Sequence, residues 1–210
     1  MAGTRSQEHV VDRALQGRTA TPGELYILSG CSGGGKSSLL EKMSARGYRI
    51  VPEAGRRVVA EAQSVNSDAL PWVSPLSFVR ACVSLHLKDL DSLEAGEGPV
   101  LLDRSLIDVI SYLKFKHLPV PADLEDLLTT PRYEPCVFMT PPWPEIFKND
   151  RERKAAYPEA VKEHDHLCRT FAKLGFTLLE VPKRSIEERA DFIKRHLSCM
   201  DTGRKTLGTE

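Results

Sequence analysis

Residues 30–38 read Gly30-Cys31-Ser32-Gly33-Gly34-Gly35-Lys36-Ser37-Ser38, a glycine followed after four residues by Gly-Lys-Ser. The apolar run Leu25-Tyr26-Ile27-Leu28 precedes it, and Leu39, Leu40 and Met43 recur at helical spacing after it. A glycine-rich turn between a strand and a helix lets successive backbone N–H groups converge on phosphate oxygens, and the helix adds the positive end of its dipole. Lys36 is then placed to reach β- and γ-phosphates, and Ser37 to ligate a magnesium ion. All nine residues are expected to contact a nucleoside triphosphate. ATP is expected over GTP, because the chain has no Asn/Thr-Lys-x-Asp guanine-reading motif.

In a parallel α/β sheet, ligands gather beyond the carboxyl ends of the strands. After the phosphate loop, the next strand ends supply Pro52-Glu53-Ala54-Gly55-Arg56-Arg57, then Asp103-Arg104-Ser105, then Thr140-Pro141-Pro142-Trp143 followed by Lys148-Asn149-Asp150-Arg151-Glu152-Arg153-Lys154. Phosphoryl transfer needs a held triphosphate, metal ligands, cations against developing charge and a carboxylate for the acceptor hydroxyl. Asp103 closes an apolar strand, where it can hold magnesium through water, cap the next helix, or do both. Arg104 can contact the acceptor or serve as an ion-pair partner. Glu53 reads as general base, as metal-site carboxylate, or as a first-turn helix acid favoured by the dipole. Adjacent helix positions cannot both face one site, so only one of Arg56 and Arg57 can. The basic stretch within a lid at about 144–156 would close over the triphosphate and exclude water, with Arg151 and Arg153 as transition-state cations.

Other residues carry weaker signals. Trp72 could stack on an acceptor ring or simply pack, and Trp143, in a Pro-Pro-Trp-Pro turn, would anchor the lid. His164 and Cys168 stand four apart on a helix with no second ligand pair, which favours an ordinary helix-surface pair over a metal site. Cys31, at a helix N-terminus, reads as an alkylation-sensitive thiol without a catalytic role.

These residues must be positioned by strands and helices in alternation. The pattern predicts helices over 36–46, 53–64, 74–94, 106–115, 121–128, 158–174 and 185–197, and strands over 25–28, 48–51, 99–103, 136–139 and 176–181. Ser185-Ile186-Glu187-Glu188 opens the last helix as a capping box, and Asn66 to Ser74 is a loop on the substrate side. Short apolar strands between helices imply a parallel sheet covered on both faces. Residues 1–21 are expected as a flexible arm, 22–199 as one domain and 200–210 as a flexible tail.

The 210 residues suit one α/β domain with a substantial core. Twenty-nine basic and 29 acidic residues cancel, so charge gives no case for a nucleic-acid-binding or membrane surface. No run approaches the length of a membrane span, and the polar start lacks the apolar stretch of a secretory signal. Five scattered cysteines without a C-x-x-C pair read as reduced, and the expected location is cytoplasmic.

The four strand-end signatures together resemble the small P-loop AAA-type ATP-binding domains, kin of the ribosylnicotinamide kinase domain. The similarity rests on Gly30–Ser38, on Val51-Pro52-Glu53-Ala54-Gly55-Arg56-Arg57-Val58-Val59, on Leu102-Asp103-Arg104-Ser105-Leu106-Ile107-Asp108-Val109, and on Pro141-Pro142-Trp143 with the basic stretch and helix after it. It spans residues 24–197. A looser similarity extends to deoxynucleoside and thymidylate kinases. In those, an acid after the second strand acts on the acceptor hydroxyl, and an acid-Arg pair after the third positions acceptor and metal; Glu53 and Asp103-Arg104 occupy the matching places. The sensor and arginine-finger segments of hexameric AAA machines are missing, so the resemblance implies no mechanical unfoldase.

The expected fold is thus an α/β P-loop NTPase three-layer sandwich of nucleoside/nucleotide-kinase type, with a five-stranded parallel sheet in the order 2-3-1-4-5. The expected function is magnesium-dependent transfer of the ATP γ-phosphate to a small nucleoside- or nucleotide-like acceptor, by a monomer or homodimer. Lys36, Glu53, Asp103, Arg104, Arg151 and Arg153 form the catalytic set, and Ser37 and Asp103 hold the metal. The alternatives are an ATPase or nucleotide-dependent switch without a small acceptor, and a module that uses ATP structurally. The lack of a clear water-positioning Gln favours the kinase.

Overall fold

The computed structural model describes residues 24–94, 98–129, 133–147 and 156–207. β1 (Leu25–Gly30) is buried along its whole length, the pattern of a strand covered on both faces. The loop after it leads into α1 (Lys36–Ala45), and Gly47 at φ +90° turns the chain into β2 (Arg49–Val51). α2 (Ala54–Ser64) and α3 (Pro75–Asp91) follow, then β3 (Val100–Asp103), α4 (Leu106–Phe115) and α5 (Ala122–Thr129). β4 (Cys136–Thr140), a short 3-10 turn (Pro144–Ile146), α6 (Tyr157–Lys173), β5 (Thr177–Glu180) and α7 (Ile186–Leu207) complete the order.

The strands pair in parallel in the order β2-β3-β1-β4-β5. Two-residue alternation divides the strand side chains between two helical layers. Tyr26, Leu28, Leu101 and Phe138 pack against Leu39, Leu40 and Met43 of α1 and Ile193 and Leu197 of α7. On the opposite face Ile27, Val100, Leu102, Val137 and Met139 meet Leu90 of α3, Ile107 of α4, and Leu167 and Phe171 of α6. Each fully buried Leu or Phe in these layers contributes about 1.5–3 kcal/mol. The expected P-loop sandwich and strand order are therefore the observed ones.

Register places the chemistry at one edge. Leu28 pairs with Asp103 and Gly30 with Thr140, so the ends of β1, β3 and β4 lie side by side where the phosphate loop departs. α4 begins with a complete capping box: the Ser105 hydroxyl accepts from the Ile107 and Asp108 amides, and Asp108 Oδ2 accepts from the Ser105 amide at 2.9 Å.

Two expectations need correction. The last helix runs to Leu207 rather than ending at residue 197; with no proline to stop it, an established helix adds one hydrogen bond per further residue. His164 is buried, because Ala160, His164, Leu167 and Phe171 form the single inward stripe of α6. The arm at 1–21 lies outside the described residues, as do 148–155 of the lid; 144–147 form the 3-10 turn and its cap.

Candidate active site

The phosphate loop folds tightly against the end of β4. The Cys31 amide donates to the Thr140 carbonyl at 3.0 Å, and Thr140 Oγ1 donates to the Ser29 carbonyl at 3.2 Å. Gly30 sits at φ +117°, and a Cβ there would lie 2.3 Å from the Thr140 carbonyl oxygen, so only glycine fits. Gly35, at φ +74°, ends the loop in the left-handed region and precedes Lys36 with no side-chain cap. The first-turn amides of α1 therefore face the loop's interior without a competing side chain, as an anion cradle requires. The side chain of Lys36 is buried and curls back over the loop, its Nζ donating to the carbonyls of Cys31 at 2.9 Å and Gly30 at 3.3 Å. Ser37 is half-buried and Ser38 exposed at the start of α1. Cys31 is only 1% exposed, with its thiol against the carbonyls of Ser32 and Ala160. That burial argues against the alkylation-sensitive thiol expected from the sequence.

Glu53 is the residue before α2 and makes no side-chain cap. Its carboxylate instead reaches Arg104 Nε and Arg56 Nε, both at 3.4 Å. Glu53 is thus not a first-turn helix acid serving the dipole. Arg56 is the member of the pair that turns to the site, while Arg57 turns to Asp89 on α3. Arg104 has φ +68°, a strained backbone for a non-glycine residue, at the end of β3. Burial works against charge on its guanidinium, but Glu53, Glu163, Asp108 and Asp103 outweigh it and hold the group above its ordinary range. Asp103 closes β3 and is buried beside Arg104.

A cavity of about 500 Å³ opens between these elements. Ser32 of the phosphate loop, Glu53 and Arg104 line it, with Trp72, Phe78 and Tyr112 supplying aromatic wall. Trp72 belongs to the 66–74 loop, which the sequence placed on the substrate side. Phe78 and Tyr112 meet edge to face with centroids 6.1 Å apart, which fixes their orientation.

Two residues at the site escaped the sequence reading. Asp108 accepts from Ser29 Oγ and Ser105 and lies 3.4 Å from Arg104, joining β1, β3 and α4 in one buried network. Its position three residues after a serine N-cap was the available signal. Arg189 of α7 is buried; its Nη2 donates to the Gly34 carbonyl at 2.9 Å and its guanidinium stacks over Trp143 at 5.7 Å. Burial lowers its pKa, and its buried Nε makes no hydrogen bond. No local pattern marks an arginine 155 residues from its partner. Trp143 thus braces Arg189 and, through it, the phosphate loop. Arg151 and Arg153 lie outside the described residues. His164 Nε2 and Cys168 Sγ are 3.5 Å apart, and no group of three His, Cys, Asp or Glu side chains suited to a metal occurs among the described residues.

The sequence profile of an AAA domain family matches residues 25–189. The chain belongs to this AAA domain family. No curated protein matches the sequence of this AAA domain. Among solved structures, deoxyadenosine kinase from M. mycoides, with the products dCMP and a flexible dCDP bound, is 14% identical with a TM-score of 0.55, over 84% of this chain and 99% of that one. Thymidylate kinase from Candida albicans is 15% identical with a TM-score of 0.61, over 87% and 94%. The NadR protein in complex with NR is 17% identical with a TM-score of 0.61; the AAA domain, matched over 92% of its length, spans 55% of that chain. At such identities these likenesses establish the fold, a P-loop sheet of nucleotide-kinase type. No described helix of the AAA domain is long and apolar enough to cross a membrane.

Proposed function

We propose that this AAA domain is a magnesium-dependent kinase that moves the ATP γ-phosphate to a hydroxyl of a small nucleoside- or nucleotide-like molecule. One observation carries the reading: a residue of the phosphate loop, Ser32, and the Glu53–Arg104 pair line the same aromatic-walled cavity. A donor cradle and an acceptor chamber thereby share a border. An ATPase acting without an acceptor has no use for a second chamber at that position.

Residues 30–38 bind the triphosphate, with Lys36 exchanging its bonds to the loop carbonyls for phosphate oxygens. The glycine cradle and the buried Asp103 beside β1 suit a magnesium nucleotide, with Ser37 and Asp103 as metal-holding residues. A magnesium ion held by Ser37 and Asp103 would supply charge neutralisation to the phosphates. The acceptor hydroxyl lies against Glu53, which takes its proton as the oxygen–phosphorus bond forms and the β–γ bridging bond breaks, releasing ADP. Arg104 orients Glu53 and the acceptor. Arg151 and Arg153 are assigned the developing charge on the transferred group, and the 144–156 stretch the exclusion of water.

Incubating the protein with γ-labelled ATP and a panel of nucleosides, nucleotides and sugars tests this. Label on an acceptor, lost in Lys36→Ala, supports the kinase. Free phosphate alone favours an ATPase, and unchanged ATP a binding module.

A further inference from the structure

Asp108 lines the cavity with a carboxylate that is only 2% exposed, and both of its oxygens are engaged. Oδ2 accepts from the Ser105 amide at 2.9 Å and from the Ser105 hydroxyl at 2.7 Å. Capping α4 takes that oxygen alone. Oδ1 serves two other groups: it accepts from the Ser29 hydroxyl of β1 and lies 3.4 Å from Arg104 Nη1. The guanidinium of Arg104 is thereby held at two points. Its Nε faces Glu53, itself paired to Arg56, and its Nη1 faces Asp108, each at 3.4 Å. One contact at Nε leaves the planar fork free to turn about its Nε–Cζ bond, whereas a second at Nη1 fixes its plane. The backbone is gripped as well. Arg104 has φ +68°, and its amide donates at 3.0 Å to the carbonyl of Leu28, the residue before Ser29. Such strain persists only where the surroundings over-determine it.

Resting on the kinase reading above, we infer that Asp108 is a positioning residue for phosphoryl transfer: it locks the plane of the Arg104 guanidinium and ties that plane, through Ser29, to the strand that carries the phosphate loop. Leu28 and Ser29 hold Arg104 from both ends, directly at its amide and through Asp108 at its guanidinium. The phosphate loop starts at the next residue, Gly30. Transfer needs the acceptor oxygen and the γ-phosphorus about 3–3.5 Å apart and aligned, and an error near 1 Å is costly. An acceptor-side arginine fastened to the donor-side strand keeps both halves of the reaction in one frame. Charge alone does not require Asp108, since Glu53, Glu163 and Asp103 also draw on the Arg104 cation. What Asp108 adds is direction, so its loss should slow the reacting step more than it weakens binding.

Asp108→Asn tests this with almost no change of shape. The amide oxygen keeps the bonds from Ser105, and the Nδ2 group meets Ser29, whose hydroxyl can accept, but offers Arg104 no acceptor. The full chain is assayed where every variant is folded by circular dichroism, with γ-labelled ATP and the common ribonucleosides as acceptors. In Asp108→Asn, kcat should fall about 10- to 100-fold, with nucleoside KM and ATP binding unchanged. In an Arg104→Ala background the same substitution should cost less than about 2-fold, because Asp108 acts through Arg104. NMR of arginine-labelled protein gives a reading independent of turnover. The two Nη groups of Arg104, identified by their loss in Arg104→Ala, should be distinct in the native protein and averaged in Asp108→Asn. Ser29→Ala takes one hydroxyl from the same carboxylate; it should lower kcat at unchanged KM, and it carries the test if Asp108→Asn does not fold. Unchanged kcat, a rise in KM alone, an equal loss with and without Arg104, or distinct Nη groups surviving in Asp108→Asn would overturn the inference. Native protein that labels no ribonucleoside removes the kinase reading instead, and the NMR comparison then decides whether Asp108 holds Arg104.

Discussion

Glu53 and Arg104, which follow neighbouring strands β2 and β3, approach to 3.4 Å across the mouth of one cavity. Their side chains are 13% and 12% exposed, enough for a substrate to touch them and too little for water to dominate the pair. Glu53→Gln keeps the shape and removes the proton acceptor. It is expected to leave ATP binding intact by calorimetry and to lower kcat by about 100- to 10,000-fold. Unchanged turnover would remove Glu53 from the mechanism.

Lys36→Ala removes the ammonium that lies over the phosphate loop. Phosphoryl transfer should fall by about 100- to 1,000-fold or more, followed as label moving from ATP to acceptor. Full activity in that variant would place the reaction elsewhere on the protein.

Gly30 and Gly47 both have positive φ, yet their surroundings differ. A methyl group at Gly30 would meet the Thr140 carbonyl, whereas one at Gly47 would point into open space. Gly47→Ala should therefore cost only the left-handed backbone penalty, about 1–2 kcal/mol. Gly30→Ala should cost about 2–4 kcal/mol and abolish ATP binding as well. Urea unfolding and nucleotide titration of the two variants check both halves.

Arg189→Ala leaves the Gly34 carbonyl without its donor and Trp143 without its cation. A loss of about 1.5–3 kcal/mol in stability is expected, together with weaker ATP binding. Arg184→Ala, at an exposed ion pair just before α7, should cost about 0–1 kcal/mol. Equal effects from the two variants would mean that Arg189 does not support the loop.

His164 is held below its ordinary pKa of 6.5, first by burial, so the fold favours its neutral form. His166 is lowered in the same way. The unfolded chain then binds protons more readily, and stability is complete above pH 6.5 and declines as pH falls below it. The decline levels off once the folded imidazoles also protonate. Urea unfolding a unit above and a unit below 6.5 should show the loss, and His164→Gln should make it shallower. A pH-independent stability would contradict the buried neutral imidazole.

Much of this arrangement could be read from the chain before its fold was known. Gly30 to Ser38 announces itself because backbone curvature and phosphate chemistry both act locally, through neighbours in sequence. Strand order followed from the alternation of strands and helices, whereas the partner that Arg104 takes, Glu53, came only once β2 and β3 were laid side by side. What was not legible depended on distance along the chain. Nothing near Arg189 says that it will reach Gly34, and nothing near His164 separates an inward stripe from a surface pair until α6 is laid on the sheet. Asp108 lay between these cases: its capping role was local, but its contact with Ser29 on β1 was not.

The tie from Arg189 to Gly34 has a further consequence for how the molecule is made. The nucleotide cradle is made 155 residues before the guanidinium that steadies it. Until α7 has been made, a nascent chain carries its signature loop unbraced, and a message cut short before α7 would yield a product whose ATP grip is never completed.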